Sequence, residues 1–466
     1  MIFLKLGSFI MRWWDESIFA VNTYEMMQNG NYFSLSFNGK PDLFNTKPPL
    51  TSWFQLLSVK IFGYNELALR LPSAISAGLT VVILFKFISR HFNYQWAWIS
   101  SLILLTSNGF IGFHTARTAD SDSILTLFLV LTNLSFVLFI LKDNKKQILL
   151  FFVFISLAFA TKLYAAFLFI PGYLFILIHQ KLLKKFIVNK YFAFGSLLFI
   201  ILNGFLLYVR NAESSGAYFR EILLKDAGRL INVVEYHSEK FFFYIENLFV
   251  SNFSFWAVFL VLGVVSIAFM VGDEVQKKIM FILLVISLSY LIIISCSVTK
   301  LVWYDMPLFP YLSIIAAYPI YFIIQNFKRG NTFIKSSTKY AIIFCVFFYP
   351  FSIMFNKAQG NTIGLGDRLL QANELYIFNA IKQKKDLSGI KVFYFGWNGS
   401  LLFYKYKLQE RNQTIELHTN IGQFNDGDRV LMCNDSLKHI ISNSFNFEII
   451  DSYHSADLYL LKHRIE

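Results

Sequence analysis

The chain has 466 residues, of which 56% are hydrophobic and only 15% charged, with a net charge of +13. That balance excludes an ordinary soluble protein and points to a polytopic membrane protein. The basic residues are dispersed over short loops rather than gathered on one face, which argues against a nucleic-acid-binding surface.

Windows of apolar length predict about eleven membrane spans, near residues 1–14, 72–90, 95–113, 123–141, 147–160, 163–179, 189–208, 252–271, 279–296, 307–325 and 340–355. The first is short. A crossing needs about twenty residues, and only fourteen precede Asp15. This segment is also too short for a complete signal peptide and carries no small-residue cleavage site, so a piece upstream of residue 1 is the expectation.

The next segment, 15–71, reads as a long outer loop. Residues 16–29 and 50–62 show apolar positions at helical spacing, and Trp53 and Phe54 suit helices lying in the membrane interface. A second outer loop spans about 209–251. The opposite face carries Lys86, Arg90, Lys142, Lys145, Lys146, Lys181, Lys184, Lys185, Lys190, Lys277, Lys278, Lys328, Arg329, Lys335 and Lys339, against the acids Asp143, Asp273 and Glu274. The excess of positive charge places that face in the cytoplasm. The motif-rich loops and residues 356–466 then lie outside.

Residues 356–466 are more polar and alternate helix-like and strand-like stretches. Helices are predicted at 368–384, 399–406 and 436–443. Strands are predicted at Lys391 to Phe395, Arg429 to Cys433, Phe447 to Ile450 and Leu458 to Leu461. The expected fold class is therefore a polytopic all-α membrane domain, 1–355, with a small C-terminal extracytoplasmic α/β domain, 356–466. Cys296, Cys345 and Cys433 have no metal or disulfide spacing.

Polar residues cluster on the outer face. Asp15 and Glu16 follow Trp13 and Trp14 where the first segment leaves the bilayer. They are either a helix-end acid pair or a partly desolvated carboxylate whose pKa is raised toward that of a useful general base. Lys47 precedes Pro48 and Pro49, which hold it on a rigid corner where an ammonium can take a phosphate. Arg117, Asp120 and Asp122 lie in the connection between the third and fourth spans. Lys162 has no other charge within ten residues on either side, which marks it as a functional candidate in a membrane segment. Lys300, Trp303 and Tyr304 precede Pro307 and Pro310. For His237, a metal ligand, a sugar contact and plain surface all remain open. Lys47, Arg117, Lys162 and Lys300 converging with Asp15 suit a donor with a lipid tail, a phosphate and a transferable sugar.

These residues also resemble a family. Asp15-Glu16, Tyr24-Glu25-Met26, Gly39-Lys40-Pro41, Lys47-Pro48-Pro49-Leu50 and the run from Gly63 to Pro72 resemble the first outer loop of the dolichyl-phosphate-mannose protein mannosyltransferase-like superfamily. The bacterial branch, which includes the aminoarabinose transferase of lipid A, is the most similar. The runs Ala116 to Asp122, Thr161-Lys162 and Lys300 to Pro307 resemble later motifs in the same order.

The resemblance implies a C-type membrane glycosyltransferase of the bacterial inner membrane. It would move a sugar with inversion from a polyprenyl-phosphate donor to lipid A, another glycolipid or a secreted protein. Carried over by position, Asp15 is the catalytic base and Asp122 is assigned beside it, organising the site. Lys47, Arg117, Lys162 and Lys300 bind donor phosphate, and Glu16, His237 and Tyr304 line the cavity. In the aminoarabinose enzyme an acidic residue precedes the lysine and can help hold a metal with the histidine. Here Thr46 stands there, so no metal site is expected, and a divalent metal is the one cofactor left open. The rival readings are a lipid or polysaccharide transporter and a non-catalytic assembly protein on the same scaffold. A transporter would carry interrupted midplane helices in repeated halves, and no repeat is present.

Overall fold

A computed structural model describes residues 1–112, 114–234, 237–270, 273–326, 332–360, 370–433 and 435–465; for 326, 332–340, 342 and 435 it describes only the backbone. Lys328, Arg329 and residues 368–369 of the predicted helix 368–384 fall outside the described residues, as do the side chains of Lys335 and Lys339.

The helical body runs α1 Asp15–Asn29, α2 Leu50–Phe62, α3 Glu66–His91, α4 Tyr94–Leu105, α5 Asn108–Ile111, α6 Asp122–Lys142, α7 Lys146–Lys162, α8 Ile170–His179, α9 Leu183–Ile187 and α10 Lys190–Glu213. It continues with α11 Ala217–Glu221, α12 Phe243–Asn247, α13 Ser254–Ala268, α14 Glu274–Cys296, α15 Phe309–Asn326 and α16 Thr332–Gln359. Short polar caps start the long helices. The Asn65 side chain accepts from the Ala68 amide before α3, Asn93 from Trp96 before α4, and Asn189 from Tyr191 and Phe192 before α10.

Six segments among the described residues are long and apolar enough to cross a membrane: Glu66–His91, Asp122–Lys142, Lys146–Phe167, Lys190–Glu213, Glu274–Cys296 and Met306–Gln325. Ile170–His179 and Ser254–Ala268 are shorter apolar helices. Leu197, Ile200 and Ile201 on α10 and Val258 and Val265 on α13 are exposed, the surface expected where lipid is the solvent. α13 packs closely on α15, because a Cβ on Gly263 would sit 2.3 Å from the Ile315 carbonyl oxygen.

Three predicted spans come out differently; that at 163–179 divides, its first residues ending the segment Lys146–Phe167 and the rest forming only the short α8. Residues 1–14 form turns rather than a helix. The carbonyls of Leu6, Phe9 and Ile10 accept from the Arg70 guanidinium at 2.9, 3.0 and 2.7 Å, so a buried side chain takes the place of helical partners. The span predicted at 95–113 stops at Leu105 and restarts as the four-residue α5.

The C-terminal region contains α17 Ala372–Lys382, α18 Gly399–Gln409 and α19 Asp435–Ser442 around a five-stranded sheet. Its strands are β3 Ile390–Phe393, β4 Ile415–His418, β5 Arg429–Met432, β6 Phe445–Tyr453 and β7 Ala456–Arg464, in the order β4-β3-β5-β7-β6. β3 pairs parallel with β4 and β5, while β7 runs antiparallel to β5 and β6. β4 was not among the predicted strands. Its four residues, Ile415 to His418, alternate apolar and polar and lack the apolar run that marks β3 and β5. The first-loop hairpin pairs β1 Ser36–Phe37 with β2 Lys40–Pro41.

This domain sits directly on α1. Tyr24 stacks on Tyr406 at 4.3 Å and Trp14 on Trp397 at 5.0 Å. Lys407 forms a buried ion pair with Glu66, and the Tyr404 hydroxyl accepts from the Met11 amide. α1 is therefore buried from Glu16 to Met26 between α2 and the C-terminal domain, rather than lying in the interface.

Candidate active site

A cavity of about 640 Å³ opens beneath the C-terminal domain, at the end of the bundle where α6 begins and α7 finishes. Asp15, Lys47, Lys162, His237 and Tyr304, all expected at the site, line it together. Arg12, His114, Lys225, Asp226, Arg229 and Trp303 line it as well.

Each cation is held by its surroundings. Lys47 is fixed from behind by Arg210, whose guanidinium donates to the carbonyls of Asp42, Asn45 and Lys47 itself. Pro49 then starts α2. Lys162 closes α7, reaches Asp122 Oδ1 at 2.7 Å and lies 4.9 Å from the Tyr304 ring. Arg229 donates to the Tyr304 hydroxyl.

Asp15 is the carboxylate that these cations face. Burial alone would push its pKa up, but the positive charges of Lys47, His114, Lys162 and Arg229 hold it below its ordinary value. The raised pKa expected from desolvation is therefore corrected: the cations outweigh the burial. His114 lies 3.0 Å from Asp120 and 4.0 Å from Asp15, with its ring stacked on Trp303 at 3.8 Å. Burial disfavours its charged form, yet Asp120, Asp15 and Asp122 together raise its pKa above the ordinary value.

Four assignments change. Glu16 does not line the cavity; it is fully buried against Arg70 at 2.7 Å and accepts from the amides of Arg12 and Ala119. Arg117 points away, donating to the carbonyls of Met1, Ile2 and Ala358, and lines a separate cavity. Lys300 is buried and donates to the carbonyls of Glu239 and Ser297, tying the second outer loop to the segment before α15. Asp122 does not line the cavity; it touches the site through its ion pair with Lys162.

Sequence reasoning passed over His114, Arg229, Lys225 and Asp226. His114 stands two residues before the run Ala116 to Asp122, and that proximity was a usable signal. Arg229 and Asp226 lie in a loop whose fold no local pattern reveals.

Asp15, His114 and Asp120 also place ligand atoms within 4.8 Å of one another, a donor set that fits a divalent cation. Thr46 donates to Asp226, so a carboxylate supplied from elsewhere in the chain does line this cavity, as His237 does.

The family model for dolichyl-phosphate-mannose-protein mannosyltransferase matches residues 46–207. An uncharacterized protein of Aquifex aeolicus is 28% identical over 65% of this chain and 58% of its own length. The undecaprenyl phosphate-alpha-4-amino-4-deoxy-L-arabinose arabinosyl transferase of Pseudomonas savastanoi is 30% identical over 27% of this chain and 22% of its own length. The chain thus spans less than two thirds of these relatives. The crystal structure of ArnT from Cupriavidus metallidurans bound to undecaprenyl phosphate superposes with a TM-score of 0.71 at 13% identity, over 98% of this chain and 95% of that one. The fold is that of a C-type membrane glycosyltransferase. The chain is thus similar to dolichyl-phosphate-mannose-protein mannosyltransferases over residues 46–207 and shares its fold with ArnT.

Proposed function

We propose that the protein is a membrane glycosyltransferase that moves a sugar from a polyprenyl-phosphate donor to a hydroxyl of a lipid or protein acceptor. The observation that carries this reading is the single cavity in which Asp15 faces Lys47, Lys162 and Arg229.

In the proposed step, the acceptor oxygen attacks the anomeric carbon while the bond from that carbon to the phosphate oxygen breaks. Asp15 takes the hydroxyl proton, and the polyprenyl phosphate leaves with the bonding electrons. One displacement inverts the anomeric centre. Lys47, Lys162 and Arg229 stabilise the charge that grows on the leaving phosphate. Tyr304 orients Arg229 and sits beneath Lys162. Before the donor binds, Asp15 is held ionised and is a weak base. A phosphate pairing with the cations relieves that field and raises the basicity of Asp15 where it is needed.

Asp15, His114 and Asp120 would hold a divalent cation, which would supply Lewis acidity at the phosphate. Lys47, Lys162 and Arg229 are proposed to supply that charge instead. Transfer is therefore expected to persist in excess chelator, and loss restored by a divalent metal would reverse the assignment. The proposed setting is the bacterial inner membrane with this cavity on the outer side; the basic loops at the other ends of the helices support that orientation.

The test is mass spectrometry of lipid A and envelope glycans from a deletion strain complemented with wild type or Asp15→Asn. One sugar mass restored only by wild type is the expected result. Restoration by Asp15→Asn removes Asp15 from the mechanism. An unchanged profile in the deletion strain, with no lipid-linked sugar accumulating, removes the transferase reading.

A further inference from the structure

A second pair of cavities lies beside the active site. One, of about 310 Å³, is lined by Arg12, Arg70, Arg117 and Lys357 together with Phe9 and Ile111. The other, of about 290 Å³, shares Asn108, Met354 and Lys357 with it and continues along Phe253, Phe255, Trp256, Tyr349 and Ile353. Together they form a cationic end and an aromatic trough.

The charge of this pair is one-sided. No acidic side chain among the described residues lines either cavity. Arg70 is neutralised by Glu16, but among the described residues Arg117 donates to backbone carbonyls and Lys357 to Asn108 Oδ1 at 3.0 Å. Burial, with Arg70 and Arg12 nearby, pushes Arg117 down to about 10. Arg117 and Lys357, which meet no carboxylate among the described residues, are costly to hold in one partly buried place unless an anion joins them.

The surroundings indicate how such an anion arrives. α16 carries Lys357 at its end and exposes Phe344, Phe348, Tyr349 and Phe351 below it, a face suited to lipid. Tyr349 belongs both to that face and to the trough. Basic pockets between membrane helices are a recurrent setting for phosphorylated headgroups.

We propose that these cavities form one site for an anionic lipid, with its phosphate at Arg117 and Lys357 and its chains in the aromatic trough. Arg12 lines both this site and the central cavity, so the lipid's polar end lies next to Asp15's chamber. That the lipid is the sugar acceptor rests on the transferase reading; the binding itself does not.

The experiment uses the purified full-length protein in neutral detergent, with lipid binding read by native mass spectrometry. The probes are phosphatidylglycerol, phosphatidylcholine and monophosphoryl lipid A. Wild type is expected to prefer the anionic probes. Lys357→Glu and Arg117→Gln are expected to weaken their binding by about tenfold, the scale of one charge-assisted hydrogen bond. Because Arg117 ties Met1, Ile2 and Ala358 together, Lys357→Glu is the decisive variant, and Arg117→Lys keeps the charge if Arg117→Gln does not fold. Preference for monophosphoryl lipid A over phosphatidylglycerol assigns the site to a phosphorylated glycolipid acceptor. Equal binding of the two assigns it to anionic lipid of the bilayer. Equal binding of phosphatidylglycerol and phosphatidylcholine by wild type, or unchanged binding in Lys357→Glu, overturns the proposal. Binding is read without transfer, so a failure of the transferase reading leaves this result standing.

Discussion

Asp15 and Glu16 are adjacent in the chain and belong to opposite kinds of site. Glu16 closes a knot in which Arg70 meets both carboxylate oxygens and three main-chain carbonyls, and two amides complete the carboxylate. Little there is left for a substrate to satisfy. Asp15, one residue earlier and about 100° around the helix, keeps 31% of its side chain exposed and faces four positive groups across an open cavity. A satisfied buried pair braces a fold. A carboxylate held among cations with room beside it is equipped for chemistry.

That contrast can be broken at its stronger end first. Asp15→Asn should lower transfer by about 10²–10⁴-fold, the usual contribution of a general base, while leaving thermal unfolding close to wild type. In vitro transfer and a melting curve on the same preparation decide it. A stable variant with full activity would move the base elsewhere. Lys162→Gln should cost about 10²-fold in kcat by removing one charge from the leaving phosphate. Asp122→Asn should cost less, about tenfold, because Lys162 keeps its charge and loses only its anchor. Equal losses in the two would mean that Asp122 touches the reaction directly.

Glu16→Gln should behave in the reverse way. Removing one partner of a buried ion pair costs about 3–5 kcal/mol. The change should therefore appear as a lower melting temperature and poor recovery in detergent, with kcat per folded molecule little altered. A Glu16→Gln protein that melts like wild type but is inactive would erase the distinction between the two acids.

The sequence made some of this legible and not the rest, for physical reasons. Spans such as 123–141 and 279–296 were readable because hydrophobic length is a local property; the structure places α6 and α14 there. Asp15, Lys47 and Lys162 stood out as charges where apolar context makes charge expensive. Glu16 and Arg117 carried the same signal, since a buried brace and a reactive group are equally unusual in composition. What separates them is a partner 54 residues away in one case and the carbonyls of Met1 and Ala358, both distant along the chain, in the other. His114 was hidden differently. Asp120 lies close to it in the chain, but Trp303 and Asp15 are brought to it by folding alone.

The smallest expected effect concerns pH. In the free protein the Asp15 carboxyl lies below its ordinary value of 3.8, because surrounding cations outweigh burial. It therefore stays ionised until the pH falls through that lowered value, and the acid limb of kcat/KM should lie correspondingly low. In the donor complex, phosphate takes part of the field of Lys47, Lys162 and Arg229, so burial counts for more and the limb of kcat should move to higher pH. His114→Asn removes another positive neighbour and should raise the kcat/KM limb as well. His114 also has a stability signature of its own. Its pKa in the folded protein lies above the ordinary 6.5, so its ion pair stabilises fully below that value and fades as pH rises through the folded one. The melting-temperature difference between wild type and His114→Asn should therefore shrink toward alkaline pH. Profiles of kcat and kcat/KM with coincident acid limbs would show that the cations do not tune Asp15 through the donor.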